Sequence, residues 1–284
     1  MKIEDVTMQK ENTLSERMRP LASVMGVTSD VFYFAKKSAG PVIEFLIRLW
    51  LAQIFFVSGV LKAANWDNAL YLSANEYPVA WMNPVTAAYI GAAIECLGSV
   101  MLAAGLGTRI AAVAMLVLSL VIQFNYLALD VHLFWAALFG WFAVRGAGKF
   151  SLDRLLARGG ADSALPFAAA TLRIFAWITK NIGPFYQLLL RVWVASALFI
   201  ASAIRVFGAD ALWEQIPRIG HMLPLRSASD LAGPFALACA LLLLVGFATR
   251  LAGLSLVVAF FAMAVVNPWH TETGYWIAAL ALIA

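Results

Sequence analysis

Read for its hydrophobic pattern, the chain is a succession of apolar runs separated by short polar breaks. Eight runs stand out: Pro41–Lys62, Pro84–Leu106, Thr108–Ala128, Leu129–Arg145, Pro184–Arg205, Leu231–Ala248, Arg250–Val266 and Gly274–Ala284. A helix needs roughly 20 apolar residues to cross a bilayer core of about 30 Å. Inside lipid every backbone polar group must be satisfied within the fold, which leaves helices or closed barrels. Runs of this length predict helices. The expected class is an all-α membrane protein with about eight transmembrane helices. The last run is about 16 Å of helix, so the second group of four is expected to be incomplete at its C-terminus. The stretch Asn65–Asn83, with Trp66, Asp67, Tyr71, Glu76, Tyr77 and Trp81, reads as an excursion along the headgroup layer, where Trp and Tyr are favoured.

The runs repeat. Gly40-Pro41, Leu46, Arg48, Trp50 and Ala52 return 143 residues later as Gly183-Pro184, Leu189, Arg191, Trp193 and Ala195. Thr108-Arg109 with Ala111, and Trp135, return 141 residues later as Thr249-Arg250 with Ala252, and Trp276. Self-similarity at a fixed offset marks a duplicated structural unit. With four spans per unit the copies run parallel, which predicts two tandem four-helix transmembrane bundles. The expected boundaries are a tail at 1–40, a first bundle at 41–153, a basic linker at 154–183 and a second bundle at 184–284. Within the linker, Pro166–Lys180 (Arg173 among Phe167, Phe175 and Trp177) reads as an amphipathic helix on the membrane surface.

Composition agrees: 63% of residues are hydrophobic, 13% are charged, and mean hydropathy is +0.83. Soluble domains have about 45–50% apolar and 25% charged residues. The formal charge of +4 does not point to nucleic acid, because of its placement. Lys2, Lys10, Arg17, Arg19, Lys36 and Lys37 lie in the tail, Lys149, Arg154, Arg158, Arg173 and Lys180 in the linker, and Arg109 and Arg250 in matching turns. If every run spans, these fall on one side, which the positive-inside rule makes the cytoplasm. The tail has no apolar core of a secretory signal. A bacterial inner-membrane protein with a cytoplasmic N-terminus is expected. Cys96 and Cys239 lie inside apolar runs, implying neither a disulfide framework nor zinc. His132, His221 and His270 fall on the outer side without ligand spacing and read as solvated loop residues, so no metal is expected.

Candidate chemistry comes from polar residues at helical spacing. On the first run Glu44, Arg48, Ala52, Phe55, Gly59 and Lys62 share a face. On the second, Gly91, Glu95, Gly98, Leu102 and Gly105 form a small-residue seam that should face the bundle. On the third, Ser119, Gln123, Tyr126 and Asp130 make a polar stripe. These stripes imply a shared polar interior, with Arg48 within salt-bridge reach of Glu95 and Gln123 beside them. The pair fits two roles: a structural ion pair that sets helix register, or a proton carrier and headgroup clamp. The second unit keeps Arg191 but has Ala236 where Glu95 would be and Gln187 for Glu44. Arg191 then needs a carbonyl, a lipid phosphate or a carboxylate from the other unit.

The first unit resembles the DoxX family of small four-helix bacterial membrane proteins. The resemblance rests on Arg48-x-Trp50, Ser58-Gly59-x-x-Lys62, Glu95-x-x-Gly98, Gly105-Leu106-Gly107-Thr108-Arg109 and Gly146-x-Gly148-Lys149-Phe150-Ser151-Leu152-Asp153. The second unit matches more loosely, keeping Arg191, Arg205 and Gly246-Phe247-Ala248-Thr249-Arg250. The resemblance implies a membrane subunit of a quinone-linked oxidoreductase system, with a redox partner protein or a fused downstream flavoprotein domain. On that reading Glu95 exchanges a proton, Arg48 holds its charge or a ring carbonyl, and Gln123, Tyr126 and Ser119 line the quinone site. The chain itself carries no flavin, haem or metal motif, so the only cofactor expected is a bound quinone. The alternatives are a maturation factor for a periplasmic redox enzyme, acting through the outer loops, and a small-molecule carrier.

Overall fold

The computed structural model describes residues 39–125, 129–160, 168–208, 222–266 and 272–283. Among these every regular element is helical. They are α1 (Ala39–Ala64), α2 (Trp66–Tyr71) with a π turn at Leu72–Glu76, α3 (Pro84–Ala104), α4 (Thr108–Asn125), α5 (Asp130–Arg145) and α6 (Leu152–Gly160). There follow α7 (Ala168–Phe207), α8 (Leu225–Ala228), α9 (Pro234–Val245), α10 (Thr249–Val266) and α11 (Thr273–Ile283). Helices stand where the eight apolar runs predicted them: α1, α3, α4, α5, α7, α9, α10 and α11. Four of them, α1, α3, α7 and α10, are long and apolar enough to cross a membrane. Large apolar side chains face outward along them, Leu46, Leu97, Leu189, Val258 and Val265 included. A water-soluble fold rarely exposes so continuous an apolar surface.

Residues Ile43–Ala284 form one compact body. Its single core joins Leu51 and Phe55 of α1, Phe134, Leu138, Phe139 and Phe142 of α5, Val194 and Leu198 of α7, and Trp276 and Leu280 of α11. The two halves are thus not separate bodies. In α5, nine of the 16 residues are buried, as expected of a helix surrounded by others rather than by lipid. Close approach is allowed at Gly140, where a Cβ would fall 2.1 Å from the Tyr186 hydroxyl. That hydroxyl donates across the halves to the Ala137 carbonyl at 2.7 Å.

The expected surface helix at Pro166–Lys180 is not a separate element. Pro166 and Phe167 lie outside the described residues, but Ala168–Lys180 is the start of α7, which runs 40 residues through Pro184. An interior proline removes one helical hydrogen bond, yet the helix continues because its first part is anchored elsewhere. Arg109 donates through Nη2 to the Phe175 carbonyl at 3.3 Å and to Thr179 Oγ1 at 2.5 Å. Through Nη1 it holds the Ala143 and Val144 carbonyls of α5 at 2.8 and 2.5 Å. The extension is therefore held against the end of the first half.

Candidate functional site

Arg48 does not meet Glu95. It is 1% exposed and donates through Nη1 to the Ala147 carbonyl and through Nη2 to the Phe150 carbonyl, both at 2.6 Å. Gly105 ends α3 with φ +68°, and a Cβ there would lie 2.8 Å from Arg48 Nη1 and 2.6 Å from Ser151 Cβ. Both the left-handed backbone and the crowding demand glycine. The Gly105 carbonyl accepts from the Asp153 amide at 2.8 Å. The Asp153 carboxylate in turn accepts from the Gly107 and Thr108 amides at 2.7 and 3.0 Å, capping the start of α4 as acids at helix N-termini do. Arg48, the Gly105–Arg109 turn and the Gly146–Asp153 closure are one clasp. We call this the basic end.

Glu95 pairs instead with Lys62, whose Nζ donates to Oε1. The contact is set by Gly59. A Cβ at Gly59 would stand 2.7 Å from Cys96 Sγ, 2.9 Å from the Cys96 amide nitrogen and 3.0 Å from Glu95 Cβ. Glycine therefore lets α1 lie against α3 at the level of Glu95, and Lys62, one turn on, reaches back to it. Arg48 is eleven residues before Gly59 on α1, about 16 Å away along the axis. Spans aligned by their ends would set Arg48 near Glu95, whereas the Gly59 contact sets the actual register. Glu95 is 3% exposed, and its Oε2 is buried without a hydrogen-bond partner among the described residues. Lys62 also lines a recess of about 70 Å³ with Ser73, Tyr77, Ala88, Gly91 and Val121. The α2 segment and its π turn form one wall, and such turns recur at functional sites.

Ser119 and Gln123 are buried, as the polar stripe predicts, but they do not line this recess. On α4 the recess is lined by Leu118, Val121 and Ile122, not by Ser119 or Gln123. Ser119 donates to the Met115 carbonyl at 2.9 Å, and Gln123 Oε1 accepts from the Leu129 amide at 3.0 Å, tying α4 to the start of α5. Tyr126 lies outside the described residues. His132 is not a loop residue: it is 7% exposed on α5, with its ring centroid 5.1 Å from that of Trp135. His221 and His270 lie outside the described residues. No group of three metal-ligating side chains occurs among those described.

Residues 43–128 match the DoxX family model. This segment is similar to a DoxX domain. No curated protein and no solved structure matches the chain. In and just past this segment, the residues that carried the resemblance divide physically. Arg48, Gly105 and Arg109, with the Gly146–Asp153 closure just past the matched segment, build the clasp. Gly59, Lys62 and Glu95 build the ion pair. Lys62 lies on the first-run stripe, but the stripe by itself assigns it no partner. The usable signal was Gly59 three residues before it, a close-contact residue that places its neighbours opposite Glu95.

Proposed function

We propose that this DoxX-family membrane protein serves a quinone-linked oxidoreductase, with Glu95 as the group that exchanges a proton and Lys62 as its counter-charge. The supporting observation is the Oε2 of a buried carboxylate, without a hydrogen-bond partner among the described residues, whose partner cation lines a recess. Ionisable groups inside a membrane are costly and tend to be functional. A water needs about 10–15 Å³, so the recess takes a few waters, enough to carry a proton between Glu95 and the end bearing α2. A quinone-like ring needs far more room, since ligand pockets run to about 300–1,000 Å³. Ring binding at Lys62 therefore requires the α2 segment to shift outward. The redox cofactor resides in a partner protein, and the basic end faces the cytoplasm of a bacterial inner membrane. The shared offsets and the matching Arg48–Gly105 and Arg191–Gly246 neighbourhoods support descent of the two halves from one duplicated unit.

The test is quinone retention. Protein purified in mild detergent should co-extract a quinone, and Glu95→Gln and Gly91→Leu should each lower its content at least several-fold. Gly91 suits the purpose because a Cβ there meets nothing within 4 Å. A quinone-free wild type that also ignores added quinol removes the proposal. A maturation role is favoured by one observation, the 74% exposed Trp81 beside α2. Under that reading Trp81→Ser lowers partner maturation while Glu95→Gln leaves it intact.

A further inference from the structure

The clasp runs straight into a helix whose outer side the described residues leave uncovered. By helical spacing the residues of α6 fall into three sectors. Asp153 and Ala157, one turn apart, are half-buried and face the body, where the Asp153 carboxylate caps α4. Leu152, Leu155 and Leu156 share a second sector and are 42%, 59% and 61% exposed. Arg154 and Arg158, again one turn apart, form the third and are exposed. Neither arginine is in an ion pair among the described residues, and the acid of this helix is already committed to the α4 amides.

The height of α6 in the fold is fixed by the same contacts. The Asp153 amide donates to the Gly105 carbonyl at the end of α3, so α6 starts where α3 ends and α4 begins. Arg109, in the first turn of α4, holds carbonyls in the last turn of α5 and the Thr179 hydroxyl of α7. All of these points therefore share one level. Just beyond Thr179 stands Trp177, 60% exposed. Exposed tryptophan gathers at the headgroup layer, which puts the start of α6 at the boundary between lipid and water.

A leucine face at that boundary is suited to the acyl edge of the bilayer, and the arginines specify which bilayer. The basic sector flanks the leucine sector, so a helix lying flat buries its leucines while the long arginine side chains reach back to phosphates. Lys149, Arg173 and Lys180 add exposed positive charge at the same end. We propose that α6 docks on acidic phospholipid, with Leu152, Leu155 and Leu156 in the acyl boundary and Arg154 and Arg158 on headgroup phosphates. At nine residues the helix is too short to hold its shape in water unaided, so its order depends on that surface. Docking also reaches the clasp, because the residues entering α6 supply the Phe150 carbonyl to Arg48 and the Asp153 cap to α4.

The experiment is hydrogen exchange of residues 152–158 in nanodiscs of phosphatidylcholine, alone or with phosphatidylglycerol added, with α5 as the folding control. Wild-type α6 should exchange about tenfold more slowly with the acidic lipid, since two basic side chains at an acidic surface supply at least that factor. Raised salt should remove the difference. Arg154→Gln combined with Arg158→Gln should also remove it and leave exchange in phosphatidylcholine unchanged. Leu155→Ser combined with Leu156→Ser should speed exchange in both lipids. Equal wild-type exchange in the two lipids, or a difference that survives the paired glutamines, overturns the proposal. So does protection by inorganic phosphate added to phosphatidylcholine discs, which would make the site one for the free anion. Protection in detergent that rises with protein concentration would assign the face to a second copy and overturn it too.

Discussion

In the first half Lys62 turns inward to Glu95; at the matching place in the second, Arg205 stays exposed and donates to the Ser229 carbonyl at 3.3 Å. The difference begins one helix away. Ala236 replaces the acid and is fully buried, so an inward cation there would be charged and unpaired in an apolar bundle. Packing changes with it, because the Gly59 contact gives way to Ser202, also fully buried. The arginines differ too. The Nε of each is buried without a partner among the described residues, but Arg48 also has two carbonyl acceptors at its Nη atoms. The terminal nitrogens of Arg191 nevertheless lie 3.6 Å from where a Gly246 Cβ would stand, at a helix end with φ +83°, much as Arg48 lies against Gly105. The comparison shows that one helix order and one arginine–glycine neighbourhood persist while the interior charge is gained or lost.

The harshest way to break this comparison is Gly59→Leu. Its Cβ would press on the backbone of α3, and overpacking that cannot relax is strongly destabilising. Folded, monodisperse protein should be lost on size-exclusion chromatography, while Ser202→Ala should behave as wild type. A normal profile for Gly59→Leu would mean that α1 and α3 are not in contact as described.

Next is Lys62→Met, which strands a buried carboxylate and should cost about 3–5 kcal/mol in reversible unfolding in mixed micelles. Adding Glu95→Leu should recover most of it and make the first half resemble the second. Arg205→Met should cost little, as exposed charges do. Additive effects of Lys62→Met and Glu95→Leu would deny the pair any coupling.

Arg48→Lys loses one of two carbonyl bonds from a charged donor, and each such bond is worth about 1.5–3 kcal/mol. Arg191→Lys should change stability much less, so equal losses at the two sites would erase the contrast. The smallest effect belongs to Gly91→Ala. The added methyl meets nothing, and glycine inside a helix is about 0.5–1 kcal/mol worse than alanine. The thermal midpoint should rise slightly, with the recess narrowed.

The helices were legible because lipid allows few solutions: long apolar runs must become helices, and breaks at Asn83-Pro84, Gly105–Thr108 and Gly246–Thr249 mark their ends. Asn83 illustrates the local logic, its side chain accepting from the Val85 amide at 2.9 Å ahead of a proline in the first turn. That Glu95 must face inward was legible too, from the glycine seam beneath it. Its partner was not, since the relative height of two helices depends on a single close contact. The closure at Gly146–Asp153 hid Arg48's role for a similar reason: its acceptors are backbone carbonyls about 100 residues away, and carbonyls leave no trace in residue identity.

The sequence by itself determined an all-α membrane protein, its helix order, the likeness between its halves and the inward placement of Glu95. These follow from hydrophobic length and small-residue spacing, which act locally along each helix. Only the tertiary structure decided that Glu95 belongs to Lys62, that Arg48 is a clasp, that both halves share one core, and that Asp130 accepts from Ser227 of α8. Each of these depends on how far one helix slides past another. That sliding is settled by steric contacts at Gly59, Gly105 and Gly140 that periodicity along a single helix cannot register.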